Sequence, residues 1–302
     1  MWNSLKKDWL LILPILFIFM LLSLSIYYGV FKDDKIEQVS IINEENKVII
    51  PPFNPSIQFP LGTDQDGYDL LDKIIVGAKW SIGAAIVISL LRTFLGGLLG
   101  ALIAFFFKRG YRKIEAFFAS FSIIPLTMIS YFILESVLRI INGTYSPPLY
   151  QRISFEIIIL VALVAPSIAF YIASEIRLIL KKEFIESSQL LGGSRWHIFK
   201  KHVLVHIYTI VPLIIIQQFI QVLILLIHLG VLGLFFGGTI VFYDNEIKSV
   251  SHEWSGLIGI YYQNIVSHPM IPLIPIIFFF LVIIAAQLIE RRLTLFFKQT
   301  IK

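Results

Sequence analysis

EFIESSQLLGG, Glu183 to Gly193, is a densely polar stretch set between two of the most apolar runs of the chain. Nothing breaks a helix from Glu183 to Leu191, and Gly192 and Gly193 then end it as a C′ glycine does. The spacing predicts a short helix, about 13 Å long at 1.5 Å per residue. On it Phe184 and Leu191 share a face, Ser187 and Ser188 fall between them, and the carboxylate of Glu186 lies alongside. Small side chains permit close approach, apolar anchors supply burial and one charge sets register, so the patch suits a groove on another protein. An amphipathic loop helix resting on its own bundle or on lipid headgroups accounts for the same residues.

The flanks of this stretch decide the fold class. A bilayer core needs about 20 mainly apolar residues per helix, and Phe155 to Leu180 upstream and Ile207 to Phe236 downstream both supply them. Trp9 to Tyr28, Trp80 to Phe107 and Ile271 to Ile289 do the same, and Ile114 to Leu138, carrying Pro125 and Glu135, makes a sixth. Neighbouring helices satisfy the carbonyl that a membrane proline frees. The expectation is an all-α polytopic membrane protein with six transmembrane helices. Composition agrees: of 302 residues 57% are hydrophobic and 15% charged, with a mean hydropathy of +0.82, against about 45–50% and about 25% in soluble domains.

The absence of Cys removes structural disulfides and Cys-based metal sites. A pI near 9.2 does not argue for nucleic acid, because the basic residues follow the loops. With the N-terminus inside, sixteen of the 25 Lys and Arg residues fall on inner segments, at Lys6 and Lys7, Lys108 to Lys113, Arg177 to Lys201 and Arg291 to Lys302. The longer outer segments hold eight, and Arg92 falls within a span. The positive-inside rule then places both termini in the cytoplasm of a bacterial cell, with the chain in its cytoplasmic membrane. The first apolar run exceeds the usual 7–15 residues of a signal peptide and no A-x-A-like site follows, so it reads as an uncleaved anchor.

The chain divides into a tip and first helix (1–31), an external segment ending in a capped helix (32–79), a five-helix core (80–290) containing the inner loop 181–206, and a tail (291–302). The external segment is punctuated by Pro51, Pro52, Pro55 and Pro60; near its end Thr63 or Asp64 caps a helix with an acidic first turn. Gly96, Gly97 and Gly100 put small residues at four-residue spacing, which lets helices approach closely. Polar residues within spans face a pathway or a neighbouring helix, and here they are Gln217, Gln218, Gln221 and His228.

EFIESSQLLGGSRWHIFKKHVLVHI (residues 183–207) resembles the coupling loop of ATP-binding-cassette importer permeases, whose pattern is Glu-Ala-Ala, three residues, Gly, nine residues, then Ile-x-Leu-Pro. Glu186, Ser187, Ser188 and Gly192 take the first places and Leu204 the Leu place, with Ser-Ser for Ala-Ala, His202 for Ile and Val205 for Pro. LGTDQDGYDLLDKIIVGAKWSI (residues 61–82) is similar to the segment ahead of the second span in the dipeptide, oligopeptide and nickel permeases. Leu61, Gly62, Thr63, Asp64, Gly67 and Asp69 match, and Tyr68 replaces Arg. EWSGLIG (residues 253–259) is similar to a segment before that subfamily's last span.

The resemblance implies a type I importer permease fold in which Phe184, Glu186, Ser187, Ser188, Leu191, Gly192 and Gly193 form the coupling helix. It also implies a second permease, two cytoplasmic ATPase subunits that bind ATP and Mg, and an external solute-binding protein. No G-x-x-x-x-G-K-[ST] phosphate cradle occurs in this chain, so ATP hydrolysis is expected on a separate polypeptide, and no cofactor, metal or catalytic residue on this one. An ion-coupled carrier or channel is the alternative; it calls for intramembrane carboxylates, and Glu135 and Glu156 lie near span ends. His252-Glu253-Trp254 lacks the second His of a zinc protease motif, and His202 with His206 lacks a third ligand nearby.

Overall fold

The computed structural model describes residues 8–44, 47–107, 115–116, 124–141, 146–243 and 246–300. They are mostly helical, and five segments are long and apolar enough to cross a membrane: Trp9–Phe31, Leu70–Phe106, Leu149–Leu180, Trp196–Val231 and Met270–Lys298. The expected sixth span falls partly outside the described residues, as do the basic residues at 108–113. Its described part is α3, Leu126–Leu138, about 20 Å long.

The helix α1 (Trp9–Phe31) buries little beyond Leu11, Pro14 and Ser25, leaving an almost wholly apolar surface outward. Ser25 is its attachment point: its hydroxyl donates to Val76 O (3.3 Å) and accepts from Lys79 N (3.0 Å). Those partners lie on α2 (Leu70–Phe106), 37 residues long and about 55 Å by helical rise. This helix starts ten residues before the expected span, at Leu70, so the segment placed in the external loop already belongs to it.

Asp69, not Thr63 or Asp64, is its N-cap, accepting from Leu71 N at 2.8 Å. The correction has a local cause. Asp64 Oδ1 takes Asp66 N (3.0 Å) and Tyr68 N (2.9 Å), and Thr63 Oγ1 takes Phe53 N (2.8 Å). Short polar side chains that cap helices also close turns, and here the turn wins. Gly67, at φ +80, lies so close to Val39 O that a Cβ would stand 2.1 Å from it.

The span expected over Phe155 to Leu180 is two helices, α4 (Leu149–Ala162) and α5 (Ala165–Leu180). Pro166 has no N–H to donate back to Ala162, and Val164 N turns to Val161 O instead of Leu160 O. Two residues after α5 comes α6 (Glu183–Leu190), then α7 (Arg195–Ile198), a π-helical turn (Phe199–Val203) and α8 (Leu204–Val231). The short α9 (Trp254–Tyr261) precedes α10 (Met270–Thr300).

Helices carry the fold, but five three-residue strands are added to it. Ile42–Glu44 (β1) pairs antiparallel with Lys47–Ile49 (β2). Thr239–Val241 (β4) lies between Arg139–Ile141 (β3), parallel to it, and Ile247–Ser249 (β5), antiparallel. Three residues are too few to register as an alternating pattern.

Two apolar clusters hold the bundle. The larger, at the N-terminal end of α2, centres on Trp254, whose indole N–H donates to Ile74 O (2.8 Å) and whose backbone N–H donates to Ser81 Oγ (2.9 Å). The smaller, at the C-terminal end of α2, joins Ala104 to Ile172, Ile176, Ile185, Ile198 and Val203. Between the two, Gly96 and Gly100 let α5 lie against α2: a Cβ on them would stand 2.4 Å from Ile168 Cγ2 and 2.7 Å from Ala169 O.

Candidate functional site

The helix α6 stands out from the end of the bundle that holds the smaller cluster. Ile185 is fully buried and pins it there, while Phe184, Glu186 and Ser187 are exposed. Leu191 N donates to Ser187 O (3.1 Å) and Gly193 N to Ser188 O (2.9 Å), and Gly192 between them has φ +84. This is the closure that a C′ glycine allows. The sequence placed the end one residue later, at Leu191.

Phe184, Ser187, Ser188, Leu191, Gly192 and Gly193, with Ser194 and His197, line one open hollow of about 680 Å³. Phe184, Ser187, Ser188 and Leu191, expected to share a face, therefore do; Glu186, about 200° on from Phe184 by helical rotation, is exposed but takes no part in the lining. Its apolar lining is uncovered, Leu191 being 89% exposed, and Leu190 (89%) and Trp196 (70%) are exposed nearby in the chain. Phe184 is held by the ring of His202, 5.4 Å between centroids. Adjacent exposed large apolar side chains on such a short element mark a contact surface.

The polar residues of the spans come together in pairs, not in one chamber. Gln217 Nε2 donates to Glu290 Oε1 on α10 (2.8 Å). Gln218, buried, donates from Nε2 to Gln221 Oε1 (3.1 Å). His228 Nδ1 lies 3.4 Å from Thr127 Oγ1 on α3. Arg92, which the sequence placed within a span without a role, is fully buried and reaches Gln218 Oε1 at 3.4 Å. An arginine thirteen residues past Lys79 in an apolar helix was the available signal.

At the opposite end, the segment 61–69 builds a buried polar cluster, and its Asp66 and Tyr68 border a cavity of about 510 Å³ with Lys73, His252 and Tyr261. Lys73 Nζ pairs with Asp64 and donates to Tyr261 OH (2.8 Å), and that hydroxyl donates to Asp64 Oδ2 (2.6 Å). Burial, then the charge of Asp64, holds the Tyr261 hydroxyl well above its ordinary pKa, so it stays a donor. Nearby, Glu253 accepts from Phe236 N (3.2 Å) and Ser255 Oγ (2.5 Å), while burial raises its carboxyl pKa. Glu156 accepts from Gly237 N (3.0 Å) and is buried. It sits in the second turn of α4, deeper than its expected place at a span end.

No group of three or more potential His, Cys, Asp or Glu metal ligands occurs among the described residues. The fold and surface define a helical, multi-pass membrane protein. Comparison of the chain with protein-family models and with curated proteins returned no match. What the chain does is therefore argued from the site itself.

Proposed function

We propose that this chain is a permease subunit of an ATP-driven importer, with α6 as the knob by which a separate cytoplasmic ATPase grips it. The observation that carries the reading is α6 and the turn after it: Ile185 anchors one side, and another leaves Phe184 and Leu191 exposed around a serine-lined hollow. Lipid alone would not require small residues at the centre or an exposed carboxylate on the same helix. A protein groove uses both.

On this reading the chain has six spans in a type I permease fold, both ends in the cytoplasm of a bacterial cell, and α6 on the cytoplasmic side. It forms half of a pathway with a second permease. Two ATPase subunits bind ATP and Mg, a solute-binding protein delivers cargo outside, and Gln217, Gln218, Gln221 and His228 border the path. The resemblance of residues 61–82 favours a peptide, nickel or metal chelate as cargo.

Glu186→Lys tests the docking role. It reverses an exposed charge of α6 without touching Ile185, so membrane insertion should stay normal while ATP-driven uptake falls by about tenfold or more, the scale of one reversed interfacial charge. Unchanged uptake overturns the reading.

A second reading has one observation behind it. Glu156 is a buried carboxylate on α4, six residues before that helix ends, and ion-coupled carriers use intramembrane carboxylates. Uptake driven by a proton gradient with no ATP present would favour it.

A further inference from the structure

Arg92 lies fully buried inside the bundle, 13 residues from Lys79 and 14 from Phe106 on α2, about 20 Å of helix from either. Part of its role is structural. Nε donates to Leu160 O at 2.9 Å, the carbonyl that lost its own donor when Val164 N turned to Val161 O. One N–H suffices for that, and a neutral donor would serve as well.

The remaining charge has no match. Nη1 reaches Gln218 Oε1 only at 3.4 Å, outside the usual 2.7–3.2 Å, and Nη2 has no hydrogen-bond partner among the described residues. Among the described residues no carboxylate forms an ion pair with Arg92. A guanidinium keeps its charge, and a buried charge without a counter-charge is heavily disfavoured. Polar groups also lead away from it. Gln218 donates to Gln221, and Gln221 is exposed on the flank of α8, within a span. A line of amides thus joins the buried guanidinium to the outside of the bundle.

We propose that the Nη edge of Arg92, approached along Gln221 and Gln218, is a binding site for a carboxylate of the transported solute. The inference rests on the transport reading above and narrows it: the cargo carries a carboxylate and is not a bare divalent cation. A carboxylate takes Nη1 and Nη2 as two parallel, charge-assisted hydrogen bonds. Gln218 Oε1 gives up only its long contact, and Leu160 O keeps Nε.

The chain, purified in lipid nanodiscs with whatever subunits accompany it, is titrated calorimetrically with tri-alanine and with tri-alanine amide. The two probes differ only in the terminal carboxylate. The acid should bind about tenfold or more tighter, the scale of one charge-assisted pair. Arg92→Gln should bring the acid to the level of the amide and leave the amide unchanged. Should that variant fail to fold, Gln218→Glu decides: it sets an internal carboxylate on the same Nη edge, keeps the bundle intact and should also abolish the preference. Equal binding of the two probes, binding of neither, or a preference that survives Gln218→Glu overturns the site. ATP-driven uptake in proteoliposomes is read separately. Acid preference without ATP-driven uptake sinks the importer and keeps the site; ATP-driven uptake without the preference does the reverse.

Discussion

His252 holds its backbone at φ +50, a region that Asn enters at least as easily as His, and its half-buried ring faces Lys73, Asp64 and Asp34. Burial first, and the Lys73 charge second, depress its pKa below 6.5, while Asp64 and Asp34 oppose the shift. The unfolded chain therefore binds more protons between the folded value and 6.5, so stability rises with pH through that window and is lost as pH falls through it. Glu253 next to it acts with the opposite sign. Its raised pKa means that the folded state holds the proton more tightly, so its contribution grows as pH falls. His252→Asn keeps the backbone and removes only the first effect. Relative to the parent chain, its thermal midpoint should climb as the buffer is taken from about pH 8 to about pH 5.5; a constant offset would take His252 out of the pH response. The part of Asp64 in this same cluster was not readable in advance, since capping and turn-closing use the same side chain.

At the scale of the element, the glycines of α2 make a graded prediction. Gly96 and Gly100 leave no room for a Cβ against α5, whereas at Gly97 the nearest atom is Ile172 Cδ1 at 3.9 Å. Gly96→Val or Gly100→Val should each cost about 1–3 kcal/mol of stability, as overpacking does, and Gly97→Ala should be neutral. Thermal unfolding in detergent checks it, and equal losses at all three positions would mean that α2 and α5 do not meet through this face. Close approach was legible in the spacing of these residues, as were the apolar cores of the five long segments and the glycine stop after α6. The break at Pro166 was not, because proline is compatible with an unbroken membrane helix when neighbours satisfy the freed carbonyl. Here Arg92 satisfies Leu160, a partner 68 residues away that no local pattern reveals. The capped helix expected at the end of the external segment proves to be the first ten residues of α2; its continuity with the span was not legible, because the partners of Asp72, Lys73 and Lys79, which are Glu37 N, Asp64, Tyr261 and Asp34, lie elsewhere in the chain.

For the whole molecule the decisive quantity is which end faces the cytoplasm. The chain has no Cys, so single cysteines report cleanly. Ile57 is wholly exposed on the segment before α2, and Leu190 is exposed on α6. A membrane-impermeant maleimide should label Ile57→Cys on intact cells and Leu190→Cys only after permeabilisation; the reverse pattern would put the knob outside and end the ATPase proposal. The excess of Lys and Arg on one set of loops is what the expected orientation rests on; how the two ends connect was not legible in the sequence. That connection lies in the gap between α4 and α5. One rod, α5, is zipped to α2 through Gly96 and Gly100 and runs almost directly into α6; the other, α4, is fastened by Glu156 to the turn at Gly237. The guanidinium of Arg92, on α2, spans that gap by holding Leu160 O near the end of α4, so the break at Leu163 is splinted from a distant part of the chain, and cutting that one strut would leave α4 and α5 joined by backbone alone where they part.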